Sequence, residues 1–250
     1  MLPTPDTSHV DYERIYEPAE DSFLLLDTLS SASETSFLQS RFGNKASSPL
    51  PPLVVEIGPG SGVVIGFINA QAQTIFGTRH VLTAAVDVNR HACIATRTTA
   101  LKAARDDPTQ HGVFLDTIQA NLVASLRNGS VDVLVFNPPY VPTDELPQQP
   151  TAADDVADSK PSFDHDSYLL ALSYAGGRDG METTDRLIDS LGEILSIRGC
   201  AYILLCAQNR PEEVKQRIKG FGKEWLVETV GSSGKKAGWE KLQIIRIWRE

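Results

Sequence analysis

Apolar positions along this chain gather into short unbroken runs with helix-period stretches between them. Leu53-Val54-Val55-Glu56-Ile57, Val81 to Asp87, Val131 to Phe136 and Gly199 to Cys206 read as buried strands. The segments from Val63 to about Phe76, Asn89 to about Arg105 and Met181 to about Ser196 carry helical spacing, clearest at Leu187, Ile188, Leu191 and Leu195. Pro211 to Lys219 is a short charged helix. A further strand, the faintest in pattern, falls within Gly112–Gln119. Trp225 to Val230 and Lys241 to Trp248 are two more, joined by the glycine-rich loop 231–238. Alternating strands and helices predict an α/β fold. A closing hairpin departs from the parallel strands with which a dinucleotide-binding dehydrogenase would continue.

At the amino end, Tyr16-Glu17-Pro18-Ala19-Glu20-Asp21-Ser22 leads into the apolar run Phe23 to Leu29. Pro18, Glu20 and Asp21 suit a helix's first turn, where the dipole favours negative charge. Residues 1–15 are polar, contain two prolines and are expected to be loosely ordered. Residues 43–52 are a loop into the first strand. From 141 to 166 the chain carries Asp144, Glu145, Asp154, Asp155, Asp158, Asp164 and Asp166 against Lys160 alone, so it reads as a mobile insertion, either a lid or a solvated loop. The chain shows no internal repeat. Its 250 residues are expected to form one domain.

Composition narrows the function. Hydrophobic residues make up 41% and charged ones 22%, as in a soluble globular protein. No apolar run reaches the ~18–20 residues that span a bilayer. Cys93, Cys200 and Cys206 lack metal-type spacing, and Cys200 and Cys206, in one apolar run, read as core thiols of a reducing compartment, the cytoplasm or the nucleus. The formal charge of −9 argues against tight non-specific binding to nucleic acid, which depends on Lys and Arg at the phosphates.

Three motifs, with Asn121 beside them, sit where strands end. Glu56-Ile57-Gly58-Pro59-Gly60-Ser61-Gly62 joins the first strand to its helix, a turn in which the backbone must approach a ligand closely. The spacing is G-x-G-x-G behind an acid, not G-x-G-x-x-G, and Glu56 suits a positively charged ligand better than a phosphate. Asp87 ends the second strand, as a ribose-binding acid or as a helix cap. Asn121 follows the third, as a further ligand-binding residue beside the others or again as a helix cap. Asn137-Pro138-Pro139-Tyr140 ends the fourth: neither proline donates a ladder hydrogen bond, and Pro138 holds Asn137 extended.

In this order the motifs resemble the S-adenosylmethionine-dependent methyltransferases with a seven-stranded Rossmann-like sheet and terminal antiparallel hairpin. Within them, Asn-Pro-Pro-Tyr marks enzymes that methylate planar nitrogens. Together with Tyr16 to Asp27 and Ala175-Gly176-Gly177-x-x-Gly180, the chain is similar to the HemK-type release-factor glutamine methyltransferases, short eukaryotic and archaeal form. The resemblance covers roughly residues 12–250. It implies that Asp87 takes the ribose hydroxyls, Gly58 and Gly60 admit the methionine part, Ser22 and Glu56 line the same pocket, and Asn121 and Leu122 flank the adenine. The family's usual Asp is replaced here by Asn121, an uncharged and weaker acceptor for the adenine amine. The implied substrate is the Gly-Gly-Gln loop of the class I translation termination factor. The implied partner is a small zinc-binding activator that pairs along the third strand; no metal is expected in this chain itself.

The acceptor chemistry explains Asn137. An amide nitrogen shares its lone pair with the carbonyl and is a poor nucleophile. If the Asn137 side-chain oxygen and the Pro138 carbonyl each accept one N–H, the lone pair is aimed at the methyl group. Tyr140 would stack on the planar group and Pro139 would shape the slot. The same geometry serves an exocyclic adenine nitrogen, but an acidic chain without a basic recognition segment favours protein over nucleic acid. A binding module that has lost catalysis is a third reading, against which the intact Asn137-Pro138-Pro139-Tyr140 speaks.

Overall fold

The computed structural model describes residues 2–44, 50–147, 163–234 and 241–250. Two helices, α1 (Glu20–Leu29) and α2 (Ala32–Phe42), precede β1 (Leu53–Ile57). Then follow α3 (Val63–Ala70), α4 (Ala72–Phe76), β2 (Leu82–Asp87), α5 (Arg90–Asp106), β3 (Val113–Gln119) and β4 (Val131–Phe136). The chain closes with α6 (Phe163–Tyr174), α7 (Glu182–Ile194), β5 (Leu195–Cys206), α8 (Pro211–Lys219), β6 (Trp225–Ser232) and β7 (Leu242–Arg249). The strands form one seven-stranded sheet in the order β3-β2-β1-β4-β5-β7-β6. β7 runs antiparallel to both its neighbours, which is the terminal hairpin the sequence predicts.

Alternation along the strands divides the core. Val54, Val133, Val135, Tyr202 and Leu204 face a layer built by α1 to α4, while Val55, Leu134, Phe136, Ile203 and Leu205 face α7 and α8. Both layers are apolar, so the central strands read as continuous hydrophobic runs. Parallel register then aligns the strand ends: Ile57 pairs with Val86 on one side and with Phe136 on the other. Gly58, Asp87 and Asn137 therefore emerge side by side. Strand order reverses between β1 and β4, and a doubly wound sheet opens its ligand crevice at such a switch point.

Leu195 and Ser196, read with the helix before them, open β5 instead, and four further details differ from the pattern-based reading. Residues 2–15 are packed rather than loose: Val10 and Ile15 bury against Ala92 and Ala95 of α5, and the His9 ring bonds the Ala95 carbonyl at 3.2 Å. Two apolar side chains suffice to pin a polar segment that has a complementary surface. The helix expected from Val63 to Phe76 breaks at Gln71, because the Gln73 N–H turns aside to donate to the Gln110 carbonyl. α2 forms where the apolar pattern predicts no helix; its sequence has few apolar residues, but Ser31 and Glu34 form a capping pattern, with the Ser31 hydroxyl accepting from the Glu34 N–H. α2 docks through a buried network in which Glu34 accepts from the Tyr202 hydroxyl at 2.8 Å and from Arg246 at 2.6 Å. Finally, α6 begins within the stretch read as an insertion. Of that stretch, 148–162 lie outside the described residues, as do 235–240 of the loop before β7 and 45–49 of the loop before β1.

Candidate active site

A cleft of about 330 Å³ opens where the tips of β1, β2 and β4 meet. It falls within the size range of small-molecule sites. Ser22, Glu56, Gly58, Gly60, Asp87, Asn121, Leu122, Asn137, Pro138 and Pro139 all line it. The cleft thus gathers every sequence-predicted site residue except Tyr140. That side chain packs on the core layer of α1 to α4, so the expected stacking on a planar substrate is not prepared in this arrangement. Its backbone is held as well: the Tyr140 carbonyl accepts from the Asn209 amide at 3.0 Å, and Gly180 lies so close that any side chain there would strike it.

Gly58 and Gly60 adopt positive φ, +62° and +54°, which a side chain would strain, and their missing Cβ atoms leave room on the cleft wall. Glu56 is buried and accepts from the Ile65 N–H at 2.8 Å. Burial pushes its carboxyl up to about 8, with the nearby Asp87 adding to the effect. Burial likewise lifts Asp87 to about 6, against hydrogen bonds from the Asn89 and Gly60 N–H groups. Asp87 is not the cap of α5; that is Asn89, whose side chain accepts from the His91 N–H. Two buried carboxyls with raised proton affinity are poised for a ligand that brings positive charge or hydroxyl donors. Among the described residues no cluster of His, Cys, Asp and Glu is arranged to hold a metal ion.

Asn121 departs from expectation in one respect. Its side-chain oxygen accepts from Arg186 at 3.3 Å, which occupies one of the two lone pairs meant for an adenine amine. Leu122 beside it holds φ at +49°.

The planar-nitrogen motif sits on the cleft floor. Asn137 donates its side-chain Nδ2–H to Asp21 Oδ2 at 3.1 Å, while its Oδ1 is buried and has no partner among the described residues. The next turn is clamped to this motif. Gly176 N–H donates to the Val141 carbonyl at 2.8 Å and Thr143 N–H to the Gly177 carbonyl at 3.0 Å. A Cβ on Gly176 would run into the Pro139 carbonyl. The Ala175-Gly176-Gly177-x-x-Gly180 turn is therefore a brace for the motif's backbone. Tyr168, Leu169, Leu172 and Ser173 of α6 complete one wall with Leu146 and Pro147, so both described flanks of the acidic stretch reach the cleft. Sequence reasoning missed Asp21 as a cleft residue, Asn209 and Arg186. Of these only Asp21 carried a signal, an acid directly before Ser22.

Comparison with known proteins agrees with this geometry. No family model matches the chain. It is 33% identical to the eRF1 methyltransferase catalytic subunit mtq2 of Schizosaccharomyces pombe, over 100% of this chain and 96% of that protein. It is 32% identical to methyltransferase HEMK2 of Mus musculus, over 98% of this chain and 96% of that one. A release factor glutamine methyltransferase of Bifidobacterium longum is 30% identical over 118 residues, 46% of this chain and 36% of that protein. The cleft fits the cofactor of such enzymes: paired carboxyls suit a sulfonium and ribose hydroxyls, and the glycine turn admits close backbone approach. With full-length identity above 30%, and with its motifs assembled in one cleft, the chain belongs to the HemK-type S-adenosylmethionine-dependent methyltransferases.

Proposed function

We infer that this enzyme transfers a methyl group to the N5 side-chain nitrogen of a glutamine, that of the Gly-Gly-Gln motif in a class I translation termination factor. The observation that carries the reading is the Asn137 Oδ1, buried without a partner among the described residues. A buried acceptor without a donor costs about 1–3 kcal/mol, so it is retained where a ligand completes it. The N–H of a primary amide is such a donor. The names of two relatives, one for eRF1 and one for release-factor glutamine, supply the substrate class.

The cofactor, when bound, supplies a methyl group on a positively charged sulfur. The chain's own task is to hold a poor nucleophile in line with it. Asn137 Oδ1 and the Pro138 carbonyl would each accept a hydrogen bond from one amide N–H, turning the nitrogen lone pair away from conjugation with its carbonyl, and one of those protons is lost to solvent once the nitrogen carries the methyl group. As positive charge develops on nitrogen, these fixed dipoles and the Asp21 carboxylate behind Asn137 stabilise it. Pro138, Pro139 and Phe136 line the slot with flat apolar surface.

We further propose that a small zinc-binding activator subunit pairs along the β3 edge of the sheet. β3 is an edge strand, and Val113, Leu115 and Ile118 are exposed there, with Ile94 and Leu101 of α5 exposed beside them. An uncovered apolar edge invites pairing with another chain. Solubility should rise on co-expression with such a subunit, and equal solubility with and without it would count against the pairing. Three buried cysteines outside any disulfide accord with a reducing compartment, and we propose the cytoplasm, with the nucleus as the alternative.

The deciding assay offers radiolabelled S-adenosylmethionine to the enzyme with intact termination factor, the factor with its Gly-Gly-Gln glutamine changed, and DNA. Label on the intact factor alone is expected. Label on DNA and not on the factor would overturn the glutamine reading in favour of an adenine nitrogen.

A further inference from the structure

We propose that Asp21 is a positioning residue that locks the flip of the Asn137 amide, so that an oxygen and not an NH2 group faces the acceptor nitrogen. The inference rests on the glutamine reading above and adds a residue to it. A primary amide is nearly symmetric in shape, and nothing in Asn137's own backbone decides which end points into the cleft. Its neighbour must decide.

Asp21 is buried, at 3% exposure, in the first turn of α1. Its Oδ1 accepts from the Ser22 N–H at 2.6 Å and from the Ser22 hydroxyl at 3.3 Å, which pins the carboxylate to the helix. Its Oδ2 remains for Asn137 and takes the Nδ2–H at 3.1 Å. A carboxylate only accepts, so a flipped Asn137 would set oxygen against oxygen at that distance. The flip is thereby excluded, and Oδ1 is left buried in the wall of the cleft, without a partner among the described residues. The same contact polarises the amide: a negative group on the N–H side draws electron density towards Oδ1 and makes it a stronger acceptor. Asn137 and Asp21 are 116 residues apart in sequence, and α1 brings the second to the first.

The lock makes an isosteric substitution informative. In Asp21→Asn, the Ser22 N–H still requires an acceptor, so the new side-chain oxygen turns to Ser22 and the new NH2 group turns to Asn137. Asn137 must then rotate to offer its oxygen to that NH2, and its own NH2 faces the substrate. Donor meets donor at the acceptor nitrogen. A purely structural role for Asp21 predicts no such inversion, because Asn and Asp fill the same space and both bond Asn137.

Two measurements test this on the full-length chain. Neutron diffraction from deuterated crystals with S-adenosylhomocysteine reads the amide directly. Deuterium is expected on the Asn137 atom facing Asp21 in the parent and on the cleft-facing atom in Asp21→Asn. The opposite orientation in the parent, or no change in the variant, overturns the proposal. Methyl transfer to the termination factor, at saturating cofactor, is expected to lose at least ~10-fold in kcat in Asp21→Asn. The charge-conserving swap of Asp21→Asn with Asn137→Asp should recover part of that rate, because the carboxylate moved to position 137 can accept from the new NH2 and still present an oxygen to the substrate. A kcat within about twofold of the parent in Asp21→Asn, or a swap no faster than that single variant, overturns it. Absence of label on the factor with the parent enzyme would refute the glutamine reading alone, since diffraction reads the lock without any acceptor.

Discussion

Asn209 should prove indispensable to the active site although it never lines the cleft. It is buried and ties three segments together: its oxygen accepts from the Cys206 N–H at 2.7 Å, and its amide donates to the carbonyls of Tyr140 at 3.0 Å and Asp179 at 2.9 Å. Asn209→Ala removes these three bonds and a longer one to the Gly180 carbonyl at 3.4 Å. Asp179 is exposed, and its carbonyl can turn to water. The Cys206 N–H is buried, and the half-buried Tyr140 carbonyl keeps a long contact from the Cys206 thiol at 3.8 Å, so weakening these two groups costs about 1–3 kcal/mol each at most. A total near ~3 kcal/mol follows, which for a chain of this length lowers Tm by roughly 6–12 °C. The same change frees the backbone that carries Pro138 and Pro139. Misplacement of the slot by a fraction of an ångström should cost kcat at least ~10-fold, with a smaller effect on cofactor affinity. Thermal unfolding, single-turnover methyl transfer and titration calorimetry separate these effects. Asn209→Asp should be worse than Asn209→Ala, because it sets a carboxylate against two carbonyls. A Tm within about 2 °C of the parent for Asn209→Ala, or parental stability for Asn209→Asp, would refute the bracket as the motif's support.

Other outcomes follow from the same geometry. Gly180→Ala should yield little folded enzyme, since its φ is +70° and a Cβ would strike the Tyr140 carbonyl. Gly129→Ala, at φ +67° with open space around it, should cost only the roughly 1–2 kcal/mol left-handed penalty, and equal losses at both sites would contradict the brace. Glu56 holds its proton more tightly folded, at about 8, than unfolded, near 4.5, so its contribution to stability declines as pH rises between those values. Without cofactor, the Tm of Glu56→Gln relative to the parent should therefore climb from acidic to mildly alkaline pH; a flat difference would dismiss the buried carboxyl as a cost. Only an ionised Asp87 accepts both ribose hydroxyls as a charged group, so affinity for S-adenosylmethionine should weaken as pH falls below about 6. Calorimetry on Asp87→Asn should show that dependence flattened. Arg246→Met would remove the guanidinium that neutralises buried Glu34 and leave it the Tyr202 hydroxyl, and a loss of about 3–5 kcal/mol in denaturant titrations is expected.

The sequence by itself determined the strands, the reversal of the last one and the residues at the sheet tips. These are local matters: β-branched runs have no competing helical period, Gly58 and Gly60 permit positive φ, and Pro138 forbids Asn137 a helical backbone. Even the edge at β3 showed as a faint pattern, because a strand with one uncovered side keeps fewer apolar residues. Tertiary structure decided what no window of neighbouring residues contains. Ile57 levels with Val86 and Phe136 only through ladder register, and that register turns three separate tips into one cleft. Residues 2–15 look solvated in sequence, yet α5 offers Val10 and Ile15 a surface. Tyr140 reads as a stacking ring beside the acceptor, but Asn209 and Gly180 hold its carbonyl and its ring packs on the core. Asn137 reveals its type in the sequence; which end of its amide faces the substrate depends on a carboxylate that the fold delivers from α1.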